Sequence, residues 1–158
     1  METARALLTD HLTWAYGKLL ALGAAPFDKM RHADKFFDHL NDVLPPRGAY
    51  FLAFDPEGQA LGTGSLRRIS DDMAEMKHLY VRPTARGAGL GERLIAARID
   101  AARTLGVRHL VADTFQGNDP MIRLYRQAGF SDAAPFDSAA AVTTPELIPH
   151  LRYFEMRV

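Results

Sequence analysis

The stretch from Met76 to Glu92 constrains the fold of this chain most. Met76–Lys77–His78–Leu79–Tyr80–Val81 has the composition of a strand, with Tyr80 and Val81 favouring extended backbone. Pro83 cannot donate to a ladder and turns Arg82 away from helical geometry, so the strand ends there. Gly87, Gly89 and Gly91 follow, and a helical pattern begins directly after them. The unit is strand, glycine turn, helix. Glycines admit positive φ and let a ligand approach the backbone closely. The unpaired amides of such a turn and of the first helical turn suit an anion, most often a phosphate, with Arg86 adding positive charge at the mouth. The same glycines are equally compatible with a turn that merely packs. The dinucleotide fingerprint G-x-G-x-x-G is not matched, and no Gly-Lys-Ser/Thr follows as a phosphate-binding P-loop requires.

The rest of the chain supplies a mixed α/β context. Leu8, Leu12, Ala15, Leu19 and Leu22 recur at helical intervals and predict a helix over 2–22, stopped at Gly23. Met30, Ala33, Phe36, Phe37 and Leu40 predict a second over 28–40. Residues 49–54 and 60–68 read as strands joined by the turn Asp55–Pro56–Glu57–Gly58, and with 74–81 they form an antiparallel meander. Leu94, Ile95, Arg98, Ile99, Ala102 and Leu105 predict a helix over 90–105 that Gly106 ends. A strand over 107–113 comes next, so strand, helix and strand give a right-handed crossover and a parallel pair. Asn118 or Asp119 caps a further helix, with Pro120 at its start and Gly129 at its end. Residues 131–149 read mostly as loop, and 151–158 as a last strand. The expectation is a single domain over 1–158.

Composition excludes several classes. Lys plus Arg and Asp plus Glu number 19 each, so no overall charge steers the chain toward nucleic acid or an anionic membrane. Cysteine is absent, which removes disulfides, thiolate nucleophiles and Cys metal sites. The histidines lack the spacing of a zinc site, so no metal is expected. No apolar run reaches the roughly 18 residues of a membrane span, and charges interrupt the opening twenty positions. The expected location is cytoplasmic.

A longer pattern narrows the reading. Glu75 to Pro83, followed by Arg86, Gly89 and Gly91, resembles the GNAT family of N-acetyltransferases, whose pyrophosphate motif is Gln/Arg-x-x-Gly-x-Gly/Ala. Asn118 and Leu124–Tyr125–Arg126–Gln127–Ala128–Gly129–Phe130 resemble the family's later segment. The similarity spans roughly residues 49–130. It implies one mixed β-sheet flanked by helices, with antiparallel strands leading into a central splayed parallel pair. It also implies acetyl-CoA as co-substrate and an amine of a small molecule or peptide as acceptor. Nucleic acid and membrane are not expected partners, and a homodimer is left open.

The resemblance also assigns residues. Leu79, Tyr80 and Val81 would pair through their backbone with the pantetheine arm, and an amide of Leu79 or Tyr80 would polarise the thioester carbonyl. Arg86, Gly87, Ala88, Gly89, Leu90, Gly91 and Glu92 would cradle the pyrophosphate. Tyr125 would be the general acid for the departing thiolate and a cofactor contact; otherwise it is a buried aromatic. Glu75 would be the general base, or else a surface charge. The two-residue strand period places His78 on the opposite face from Glu75 unless a bulge intervenes. Asn118 reads as a cofactor contact or a helix cap, Asp113 as an acceptor or water contact, and Arg67, Arg68 and Arg82 as solvated strand ends. Trp14, Tyr16, Phe27, Phe36, Phe37, Tyr50 and His150 are candidates for the acceptor wall. Family members begin with a strand, whereas helical periodicity here starts almost at Met1. A noncatalytic acyl-CoA-binding regulatory or protein-interaction module is the alternative reading.

Overall fold

The computed structural model describes residues 1–136 and 145–158. Its elements are α1 (Glu2–Ala21), α2 (Lys29–Asp38), β1 (Gly48–Phe54), β2 (Ala60–Arg68), β3 (Met73–Val81), α3 (Leu90–Thr104), β4 (His109–Phe115), α4 (Asp119–Gln127), β5 (Ser131–Ala133) and β6 (Leu151–Arg157). They form one six-stranded sheet in the order β1-β2-β3-β4-β6-β5, in which only β3 and β4 run parallel.

Local chemistry sets the boundaries. The Asp28 carboxylate accepts hydrogen bonds from the amides of Met30 and Arg31, each at 3.0 Å, and so starts α2. In the β1–β2 turn, Asp55 Oδ1 accepts from the Gln59 amide at 2.7 Å, and Gly58 takes φ +84°. Gly106, at φ +74°, ends the α3 pattern.

The strand period then divides the core between two faces of the sheet. Leu66, Ala74, Met76, Leu110 and Ala112 face Ile95 and Ile99 of α3 and Met121, Ile122 and Tyr125 of α4. On the other face, Leu8 and Leu12 of α1 meet Ala33 and Phe36 of α2, Leu7 meets Tyr80, and Leu19 meets Phe115.

Four expectations change. Val107 is buried in the main core but precedes β4, which starts at His109 and runs on to Phe115. The 131–149 segment holds β5 and a 3-10 helix over Pro145–His150, while residues 137–144 of that predicted loop lie outside the described residues. Arg67 and Arg68 are not solvated ends. Arg67 pairs with Glu75, and Arg68 Nη2 donates to the Leu105 carbonyl at 2.6 Å, because the α2 and α3 layers close over both rows of the sheet. Arg82, for its part, reaches Asp10 of α1 at 3.2 Å. Among the described residues no strand precedes α1.

Two irregularities in β3 position everything that follows. Its parallel pairing with β4 ends at Met76 and Ala112, although both strands continue. In its pairing with β2, Tyr80 stands opposite Thr63 and Lys77 opposite Ser65, so His78 and Leu79 together face Gly64. This is a β-bulge, and His78 takes φ +55° within it. The bulge overturns the simple alternation. Lys77 follows Glu75 onto the α1/α2 face, and His78 joins them there, its ring 6.1 Å from His11 and 4.8 Å from Phe36. Leu79 turns to the α3/α4 core.

Candidate active site

The first cavity is a cleft of about 370 Å³ between the end of β3 and the starts of α3 and α4. Leu79, Tyr80 and Val81 form one wall, and Arg86, Gly87, Gly89, Leu90, Gly91 and Glu92 another. Ala88 is not on the wall. Gly87 and Gly89 take φ +84° and +72°, which only glycine adopts without strain. No side chain caps α3, and its first backbone bond runs from the Arg93 amide to the Gly89 carbonyl at 3.1 Å. The amides of the first turn therefore face the cleft without an intrahelical acceptor. Gly91 lets α4 approach: a Cβ there would stand 3.0 Å from Leu124 Cδ1. Arg86 is held at the mouth, its Nε donating to the Val81 carbonyl at 3.0 Å and its guanidinium over the Trp14 ring at 5.3 Å. Beyond Met76 the β4-facing backbone edge of β3 has no strand partner among the described residues.

The second cavity, about 130 Å³, passes through the gap where β3 and β4 part. Lys77, His78 and Asp113 line it from the α1/α2 face, together with His11, Phe27 and His32. Tyr125 and Asn118 line it from the other face. Trp14, Leu79, Asn118 and Met121 border both cavities, which adjoin across these side chains. Tyr125 stands on the second cavity and not on the cleft itself.

The electrostatics follow from burial. Tyr125 is 2% exposed, its ring tilted against Phe130 and Phe154 at centroid distances of 5.2 and 5.1 Å, and burial pushes its phenol up to about 12 against the opposing pull of Arg98. The His11 imidazole is drawn down to about 4 by burial, with Asp113 working against it. Burial, then the charges of His11 and Lys77, hold His78 well below the ordinary histidine range. Its Nδ1 lies 3.3 Å from Ser65 Oγ, which donates to the Lys77 carbonyl at 3.0 Å.

Glu75 is buried rather than solvated. Arg67 Nη2 lies 3.0 Å from its Oε2 and Lys77 Nζ 3.3 Å from its Oε1. It lines a small third cavity with Ser65, Lys77 and His78. Asn118 occupies the N-cap of α4 without capping it; its Nδ2 donates to Thr114 Oγ1 at 2.8 Å. Of the aromatic candidates, Trp14 and Phe27 reach the second cavity and Phe36 the third, whereas Tyr16 packs edge-on against Phe27. His11, His32 and Lys77 were not expected on the wall. Their positions depend on how α1 and α2 lie on the sheet and on the bulge, none of which has a local sequence signal. Among the described residues no group of His, Cys, Asp or Glu side chains could hold a metal, and no helix is long and apolar enough to cross a membrane.

A strand with a free edge leading to a glycine-lined helix start, beside a split parallel pair, matches known proteins. Residues 11–130 match the model of the acetyltransferase (GNAT) family. The chain belongs to that family. This GNAT protein is 38% identical over 112 residues to an uncharacterized N-acetyltransferase of Schizosaccharomyces pombe, covering 65% of this chain and 69% of the relative. It is 36% identical over 102 residues to an IAA acetyltransferase of Azospirillum brasilense, covering 63% and 67%. A GNAT-family acetyltransferase structure from Staphylococcus aureus superposes with a TM-score of 0.74 at 16% identity, over 99% of this chain and 94% of that one, which shows a shared fold. The chain is thus a GNAT-type acetyltransferase, of a family whose typical acyl donor is acetyl-CoA.

Proposed function

We propose that this GNAT protein, acting as one domain, moves the acetyl group of acetyl-CoA directly to a primary amine of a small molecule or peptide. The observation that carries the reading is the wall of Trp14, Leu79, Asn118 and Met121 that two cavities share. It sets a cleft suited to an anion directly beside a cavity lined by a phenol, a carboxylate and neutral imidazoles. The residues fit the donor. Uncapped amides at Leu90, Gly91 and Glu92, with Gly87, Gly89, Ala88 in their turn and Arg86 at the mouth, supply convergent donors for a pyrophosphate. The free edge of β3 at Leu79, Tyr80 and Val81 would pair with pantetheine amides, and Asn118 would contact the arm at the shared wall.

Each chemical role then has a residue. An amide at the bulge, from Leu79 or Tyr80, would polarise the thioester carbonyl. Tyr125, protonated throughout the working pH range, would give its proton to the departing sulfur. Glu75 would take the amine proton through a water, since it lines the neighbouring cavity rather than the acceptor cavity itself. Asp113 and the neutral His11 and His78 would receive the amine.

Thiol release from acetyl-CoA, measured across amino acids, polyamines, aminoglycosides and peptide N-termini, tests the reading. Turnover with amines in at least one class is expected. Tight CoA binding without turnover in any class would overturn it in favour of an acyl-CoA-binding regulatory role.

A further inference from the structure

The second cavity sets narrow limits on its occupant. Its volume of about 130 Å³ lies far below the roughly 300–1,000 Å³ of most ligand pockets. An apolar cavity of about 150 Å³ is enough for one benzene ring. Beside the split of β3 and β4 there is room for a single ring, or for an aliphatic body of similar bulk.

Most of the wall is apolar, with Leu12, Trp14, Leu19, Phe27, Phe115 and Leu147 on it. Packing fixes these side chains. Leu19, Phe115 and Leu147 share one buried cluster, and Trp14 and Phe27 pack against it. The Trp14 and Phe115 ring centroids lie 5.1 Å apart, and Tyr16 meets Phe27 edge-on at 5.0 Å. A wall packed in this way does not widen readily for a bulkier guest.

The polar part of the wall limits charge. Among the described residues on it, Asp113 is the one carboxylate and Lys77 the one ammonium, and they pair at 3.0 Å. Lys77 also serves Glu75 at 3.3 Å, and Arg67 closes the row at 3.0 Å from Glu75. The row is balanced as it stands. A neutral amine, the form that attacks, adds no charge and can donate an N–H to Asp113. A second ammonium on the guest would have no carboxylate of its own, and a carboxylate on it would crowd Asp113 and Glu75, which Lys77 already pairs.

We propose that the acceptor is a small primary monoamine whose only ionisable group is the reacting nitrogen, carrying one aromatic ring or a body of like bulk on a spacer of one or two carbons. The proposal rests on the acetyltransferase reading and narrows its acceptor. The spacer follows from β4: Asp113 and Phe115 lie two residues apart on one face of the strand, about 6–7 Å along it. With the nitrogen at Asp113, the ring meets Phe115 and Phe27. In the transfer the nitrogen bonds to the acetyl carbon and the C–S bond breaks. The nitrogen gives one proton through water to Glu75, the sulfur takes one from Tyr125, and solvent restores both groups. The products are the amide and the CoA thiol.

The test measures kcat/KM with acetyl-CoA for benzylamine, 2-phenylethylamine, ethylamine, phenylalanine, spermidine, kanamycin and a tripeptide. Benzylamine or 2-phenylethylamine is expected to exceed phenylalanine, spermidine, kanamycin and the tripeptide by about 100-fold or more. Ala15 also lines the cavity, and Ala15→Phe should fill its apolar part. It is expected to lower kcat/KM for 2-phenylethylamine about tenfold relative to ethylamine, with KM for acetyl-CoA unchanged. If Ala15→Phe does not fold, Phe27→Ala replaces it and should shift preference about tenfold toward 4-phenylbutylamine. Spermidine, kanamycin, phenylalanine or the tripeptide turned over as well as 2-phenylethylamine overturns this acceptor class and leaves the acetyltransferase standing. CoA binding without turnover of any amine removes the acetyltransferase reading, and this proposal with it.

Discussion

Lys77 Nζ lies 3.0 Å from Asp113 Oδ2, and the pair bridges β3 and β4 one residue past their last paired positions, Met76 and Ala112. The same ammonium stands 3.3 Å from Glu75 Oε1, whose other oxygen meets Arg67 at 3.0 Å. The result is a chain of alternating charges, Arg67, Glu75, Lys77 and Asp113, across three strands. Burial alone would lower the Lys77 ammonium, but Asp113 and Glu75 outweigh it and hold the group above the usual lysine range. Lys77 is therefore a fixed cation and not a proton shuttle.

Lys77→Met should leave two carboxylates facing each other in a largely buried gap and destabilise the fold by about 3 kcal/mol. The raised folded pKa means that the stability Lys77 contributes is complete below the ordinary lysine value of 10.5 and is lost only as pH rises through the folded value above it. Urea unfolding of both proteins should show a constant difference from neutral pH to about 10. A difference that shrinks well within that range would contradict the pairing.

Glu75→Gln, which cannot accept the amine proton, is expected to lower kcat/KM about 100-fold while leaving CoA affinity unchanged. An unaltered kcat/KM would reduce Glu75 to a partner of Arg67 and Lys77.

At Gly89, φ is +72°, and a side chain there costs about 1–2 kcal/mol of backbone strain. Relaxation of that strain would turn the first amides of α3 away from the cleft. Gly89→Ala should weaken CoA binding about tenfold, as read by titration calorimetry. Retained affinity would mean that the phosphates lie elsewhere.

Acid should loosen the fold through the imidazole of His11. Its folded value of about 4 lies below the ordinary 6.5, so its contribution is whole above pH 6.5 and is lost as pH falls toward 4, where the unfolded chain binds the extra proton first. The urea midpoint should therefore drop across this window, and His11→Phe should flatten the drop. Equal slopes in the two proteins would place the acid sensitivity on other groups.

How much of this was legible depended on whether the signal was local. The glycine turn, the Asp55–Gly58 hairpin and the α4 segment from Asn118 to Gly129 carry their geometry in adjacent residues, and each lies where its pattern indicates. The parallel β3–β4 pair followed from strand, helix, strand order. The bulge at His78 did not, since nothing in Lys77–His78–Leu79 marks an extra residue; it arises from pairing with Ser65 and Thr63 on another strand. The same holds for His11, which reaches the cavity only through the docking of α1. Arg98 was legible as part of a helical stripe, but its burial depends on Gly64, thirty-odd positions earlier. Glu75 looked like a strand-edge charge because its partners Arg67 and Lys77 become neighbours only once the sheet forms.

The parting of β3 and β4 has a kinetic consequence. Donor and acceptor would arrive from opposite sides of one sheet, so neither must vacate its place before the other is seated. Initial-rate lines at varied fixed concentrations of one reactant should intersect instead of running parallel, the signature of a ternary complex without an acetylated protein along the way.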